Sequence, residues 1–155
     1  MEISVPAALK SLTMAGTASK VLAAWRKKSA GDARALLDEL SNNLRVLELV
    51  LDDGVSLGDV VKDLSTSEYD RLLREGFNFS ALKRKRIARM ASLDSTDLQQ
   101  WQGKETGALI DAIYGKLKDI KVKFPHTANS SKYRWNVRAQ NIRKRIWLLA
   151  RHLSA

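Results

Sequence analysis

The sequence predicts an all-α fold: a single helical domain, residues 1–155, of about five to seven helices. Three observations predict it. Apolar residues recur every three or four positions through the long segments, the spacing that builds one face of an α-helix. No stretch alternates apolar and polar residues as a strand does, and no internal repeat or low-complexity linker marks a second domain. The chain of 155 residues is 45% apolar, enough to bury one core.

The last segment, Lys132 to Leu153, carries the clearest pattern. Trp135, Ala139, Ile142, Ile146, Leu149 and Leu153 follow one another at steps of four and three and form one stripe. Ser130 or Ser131 is placed to cap the start, with Pro125 upstream. The opposite side carries Gln140, Lys144, Trp147 and Arg151, with Arg143 nearby. Trp147 thus sits one turn from both Arg143 and Arg151. Arg and Trp are enriched at contact sites, which points to a recognition surface. The competing reading is a central helix packed on both sides.

The remaining elements follow in order. Ser4-Val5-Pro6 reads as a helix start, with a segment through Lys28 that is apolar at Ala8, Leu9, Leu12, Val21, Leu22, Ala24 and Trp25. Gly31-Asp32 opens a helix striped by Leu36, Leu37, Leu40, Leu44, Leu47 and Leu51, and Gly54 stops it. Asn42-Asn43 is unfavourable in mid-helix and is expected to cap a neighbouring chain end. Ser56 to Leu64 is a short helix or turn. Ser65-Thr66-Ser67-Glu68 reads as a cap for a helix over Tyr69, Leu72 and Leu73 that ends at Gly76. Phe77 and Phe79 plug the core, and Ser80 is expected to cap a helix running to Met90. A longer helix is expected from Asp94 to Lys123, with Leu109, Ile113 and Leu117 in the core beside Ile142, Ile146 and Leu149. Pro125 to Ser131 is expected to be loop.

Charge is unevenly placed. Residues 1–79 hold 10 Lys and Arg against 12 Asp and Glu, whereas residues 80–155 hold 17 against 5. A near-neutral front half and a strongly basic back half imply a polyanion or an acidic protein as partner. Lys83, Arg84, Arg86, Lys121, Arg143, Lys144, Trp147 and Arg151 are the candidate nucleic-acid-binding residues.

Several classes are excluded or disfavoured. No Cys is present, so there is no disulfide, thiolate nucleophile or Cys-ligated zinc, as expected in a reducing compartment. Two His residues, His126 and His152, do not make a conventional zinc site. Glu2 replaces the basic lead of a secretory signal, and no run nears the ~18 apolar residues of a spanning helix. Gly103-Lys104-Glu105-Thr106 fails as a phosphate-binding loop because Glu follows the Lys. A cytoplasmic protein without membrane contact, cofactor or metal is expected.

One spacing suggests catalysis. Arg145 and His152 are separated by six residues near the end of the last helix. This resembles the Arg-x(4–6)-His motif of HEPN-domain ribonucleases, all-α proteins in which the two residues meet across a dimer cleft. The resemblance covers eight residues and departs from the usual pattern at Ile146, where a polar residue is common. It implies a homodimer in which Arg145 stabilises phosphate charge and His152 is the acid/base group. The other reading of His152 is a helix C-terminal residue favoured by the dipole. The leading expectation is a non-enzymatic binding or adaptor protein whose basic C-terminal half engages nucleic acid. The alternatives are a HEPN-like, metal-independent ribonuclease, and an interaction module or inhibitor for an acidic partner.

Overall fold

The structure, a computed structural model, describes residues 17–83 and 85–154. The helix start expected at Ser4-Val5-Pro6 and the candidate Arg84 lie outside the described residues. The elements are α1 (Thr17–Lys28), α2 (Gly31–Leu51), the single turn α3 (Leu57–Val60), α4 (Ser67–Arg74), α5 (Thr106–Thr127) and α6 (Trp135–Ser154). Short 3-10 turns link them, and among the described residues the only β pairing is one isolated bridge, Arg86 with Glu105. The protein is all-α, as predicted. No helix among the described residues is long and apolar enough to cross a membrane.

Helix α6 is the centre. It packs against α1 and α2 on one side and α5 on the other. All six residues of its predicted stripe are buried. So are Leu148, Ala150 and, on the opposite side, Arg143 and Trp147. Trp147 is 3% exposed and belongs to the core. This corrects its assignment as a base-stacking residue on the surface: a helix sandwiched between three others buries both faces, and the indole fills the second layer. Leu109, Ile113 and Leu117 of α5 are fully buried against it.

The α2–α4 junction shows how a buried charge is accommodated. Thr66 occupies the N-cap of α4 but makes no cap bond with its side chain. Its hydroxyl donates to Asp70 instead. The cap is supplied from α2. Glu39, 5% exposed, accepts from the backbone N–H groups of Glu68 (2.8 Å) and Tyr69 (3.1 Å) and from the Ser65 hydroxyl (2.8 Å). One turn further, Asn43 accepts from the N–H of Ser65 (2.8 Å) and donates to its carbonyl (2.7 Å). The amide predicted to cap a neighbouring chain end does so. A carboxylate at the positive end of a helix, with every oxygen engaged, is a tolerated buried charge.

Between α4 and α5 the chain differs from expectation. The helix expected from Ser80 to Met90 is a 3-10 turn, Phe79–Leu82, followed by extended chain. Ile87 exchanges backbone bonds with Gly103 and Lys104, both 2.9 Å. Four successive cations would crowd one helical turn; the non-helical chain instead carries Ile87 into the core. The helix expected from Asp94 begins only at Thr106. Ser95 (φ 67°) and Gly103 (φ 81°) take left-handed backbone in the intervening stretch, which no helix accepts. At its other end α5 continues through Pro125, whose missing N–H falls in the last turn.

Helices α5 and α6 form an antiparallel hairpin. The Thr106 hydroxyl lies 2.9 Å from His152 Nε2 at one end. The rings of Phe124 and Trp135 meet edge to face at the other, 5.6 Å apart.

Candidate nucleic-acid interface

Of the predicted binding residues, Arg143 and Trp147 are buried, and Arg84 lies outside the described residues. Arg143 is buried and pairs with Asp52, the C-cap of α2 (2.7 Å), while donating to Gln140 (2.8 Å), which makes it a tie between helices. Trp147 is core. Lys83 donates to the carbonyl of Leu153 (2.5 Å) and lies over the Trp25 ring. Arg86 donates to the carbonyl of Gly103 (2.9 Å) and Lys121 to that of Leu64. Lys144 is half-buried and Arg151 exposed on the outer side of α6.

The structure instead brings other cations together at the α5–α6 hairpin. A cavity of about 280 Å³ opens there, lined by Lys116 and Asp119 of α5 and by Lys132, Tyr133, Arg134 and Arg138 of the hairpin turn and α6. Trp135, Asn141 and the apolar Ile120, Val137 and Ile142 complete its walls.

Local backbone geometry explains the convergence. The 3-10 turn Ser131–Tyr133 ends at Arg134, which has left-handed φ 47°, ψ 59°. A bulky residue in this region is strained by about 1 kcal/mol or more and is held there only by its surroundings. The kink turns the chain sharply into α6, so Tyr133 folds back over Trp135. Their rings stack at 5.3 Å with an interplanar angle of 6°. Residues two apart on a continuous helix would not face each other. Arg138 locks the arrangement: its Nε donates to the Tyr133 carbonyl (2.6 Å), and its guanidinium lies 5.6 Å from the Tyr133 ring and 5.4 Å from Trp135. No Ser side chain caps the turn; Ser130 sits at its start without a cap bond.

The cavity is electrostatically one-sided. Four cations face a single carboxylate, Asp119. Burial pushes the Lys116 ammonium below its usual pKa, and the guanidiniums of Arg145 and Arg138 push it further, against Asp119. Arg145 lies just beyond the inner wall, where Nη1 donates to the Asn141 carbonyl (2.9 Å) and burial disfavours its charge. Its Nε has no hydrogen-bond partner among the described residues. The site therefore carries positive charge that the protein itself does not neutralise.

The two residues of the ribonuclease-like spacing are both buried. Arg145 is 9% exposed and bonds the carbonyl of Asn141, a residue of the cavity wall. His152 is fully buried at the far end of the hairpin, against Thr106. Seven residues along a helix separate their backbones by about 10 Å. In this conformation neither side chain is presented to a substrate. No group of three or more His, Cys, Asp or Glu that could hold a metal occurs among the described residues.

Sequence reading missed Lys132, Tyr133, Arg134 and Arg138 as site residues. The signal was present: Arg134 sits between Tyr133 and Trp135, and Arg138 follows four positions later. Attention to the apolar stripe that begins at Trp135 obscured it, and the left-handed kink has no sequence marker such as Gly. Comparison of the chain with protein families, curated proteins and solved structures gives no match, so the chemistry of the cavity rests on its own residues.

Proposed function

We propose that the protein is a nucleic-acid-binding module that engages an unpaired strand at the α5–α6 hairpin. The carrying observation is the convergence of Lys116, Lys132, Arg134 and Arg138 with Tyr133 on one concave surface that holds a single acid. Cations of this kind contact phosphates, and a half-buried tyrosine offers a base a face or edge to stack against. The concavity favours a flexible single strand over a duplex cylinder.

Fluorescence anisotropy with a labelled single-stranded oligonucleotide tests this. Four phosphate contacts give a log–log salt slope of roughly −3 on single strands. Replacing Arg134 and Arg138 with Gln should reduce the slope by about 1.4, or 0.7 per contact. Absence of binding at low ionic strength, or a slope that the double substitution leaves unchanged, would refute the assignment.

A further inference from the structure

The positive charge of the hairpin stops abruptly. Beyond the wall formed by Arg134 and Trp135 lies a second, more open trough of about 600 Å³. Its lining is apolar and uncharged-polar apart from Arg134 itself, with Val50, Leu57 and Phe124 on one side and Asn129, Ser130 and Asn136 on the other. A surface that tracked a strand would continue its cations along the path of the backbone. On this side of the hairpin the cations end at Arg134.

The charge also exceeds the demand of a backbone phosphate. A phosphodiester carries one negative charge, whereas a terminal phosphomonoester carries about −1.5 to −2 at neutral pH and three acceptor oxygens. Lys116, Lys132, Arg134 and Arg138 outnumber the single Asp119 by three. The desolvated Lys116 sits against two guanidiniums, an arrangement that a dianion relieves more fully than a monoanion. The volume is near the lower end of small-ligand pockets, about 300 Å³, and takes the terminal nucleotide, with the following phosphates of the strand left at its rim. Asp119 and Asn141 add an acceptor and an amide suited to a sugar hydroxyl or base edge.

We infer that the cavity recognises the end of a single strand, holding a terminal phosphomonoester between Lys132, Arg134 and Arg138 with its nucleotide beside Tyr133. This rests on the nucleic-acid reading of the same site. The measurement is the affinity of the full chain for one labelled sequence in four forms: 5′-phosphorylated, 3′-phosphorylated, hydroxyl at both ends, and circular. One phosphorylated form should bind about tenfold more tightly than the hydroxyl-ended and circular strands, the value of one further charge-assisted contact. The form that gains identifies which end is read. The Arg134→Gln/Arg138→Gln variant should lose that advantage, and Lys132→Gln, at an exposed position, provides the same readout if the double variant does not fold. Equal binding of all four forms, still sensitive to these substitutions, overturns end recognition and leaves the strand-binding site standing. No binding of any form overturns both.

Discussion

Two basic regions of this molecule carry the same net charge and do different things with it. Residues 83–105 hold six bases and three acids, and the lining of the hairpin cavity holds four bases and one acid; each is net +3. In the first region the cations among the described residues lie along extended chain and turns, and each has a partner. Lys85 pairs with Glu105 (3.7 Å) and Arg89 with Asp94 (3.5 Å). Arg86 serves a carbonyl, and Lys104 lies over the Trp101 ring. In the second region the hairpin gathers the cations round one cavity with a single carboxylate, and Arg138 and Lys132 lie over the Tyr133 ring rather than beside an acid. Linear charge density in a sequence is thus a poor guide to a binding site. Convergence without neutralisation is the informative property, and it is created by the fold.

The comparison breaks or sharpens at specific substitutions. The largest effect is expected from Arg134→Gln with Arg138→Gln. Two lost contacts at 0.1 M salt weaken single-strand binding by roughly 25-fold, which anisotropy titration measures. Next is Tyr133→Leu. Loss of one stacking partner costs about 1 kcal/mol, or about fivefold in affinity, with the salt slope unchanged; a steeper or shallower slope would show that the ring acts through the cations instead. Arg86→Gln with Arg89→Gln is expected to change affinity by less than about twofold, because exposed pairs of this kind hold little energy and face no cavity. A loss as large as that of the hairpin variant would abolish the distinction between the regions.

The smallest effect concerns an engaged cation on α5. Lys118 bonds Asp70 at 2.5 Å. Burial pushes the Asp70 carboxyl up, but Lys118 and the Thr66 hydroxyl more than reverse it, so its pKa is lowered on folding. A carboxyl held low contributes stability above its unfolded pKa and loses that contribution as pH falls through the folded value. Lys118→Met should therefore be less stable than the parent at pH 7, and the two should converge as pH falls toward ~2. Urea midpoints at the two pH values check this. Strand binding at neutral pH should be unaltered, since Lys118 does not line the cavity.

The helical scaffold was legible because amphipathic spacing is a local property. The leucine stripe of α2 and the α6 stripe from Trp135 to Leu153 are buried along nearly their whole length. Asn43 was legible as a cap because an amide in mid-helix has a local cost that something must offset. The span from Ser80 to Glu105 was misread because helix propensity there is outweighed by cation crowding and by the pull of Ile87, Leu93 and Leu98 into the core. Trp147 was ambiguous for a different reason: periodicity shows which face is apolar, but not that a third layer covers the other face. The cavity was least legible. It depends on the backbone angle at Arg134 and on Lys116, which is 18 positions from it in sequence and adjacent in space only because α5 and α6 pair.

The capping of α4 by Glu39 has a consequence for the order in which the chain acquires structure. The carboxylate lies 29 and 30 positions before the two amides it binds. A helix of eight residues is too short to persist alone, so α4 gains its first turn only when the intervening chain has closed and α2 is in place. Its formation is then a reporter of docking rather than a nucleation event. The amides of Glu68 and Tyr69 should exchange with deuterium together and at the rate of α2–α4 separation, slower than fraying of an ordinary helix end. In a Glu39→Gln protein that protection should collapse at these two positions while the amides of α5 keep theirs, making one buried oxygen pair the clasp that joins two otherwise separate cooperative units.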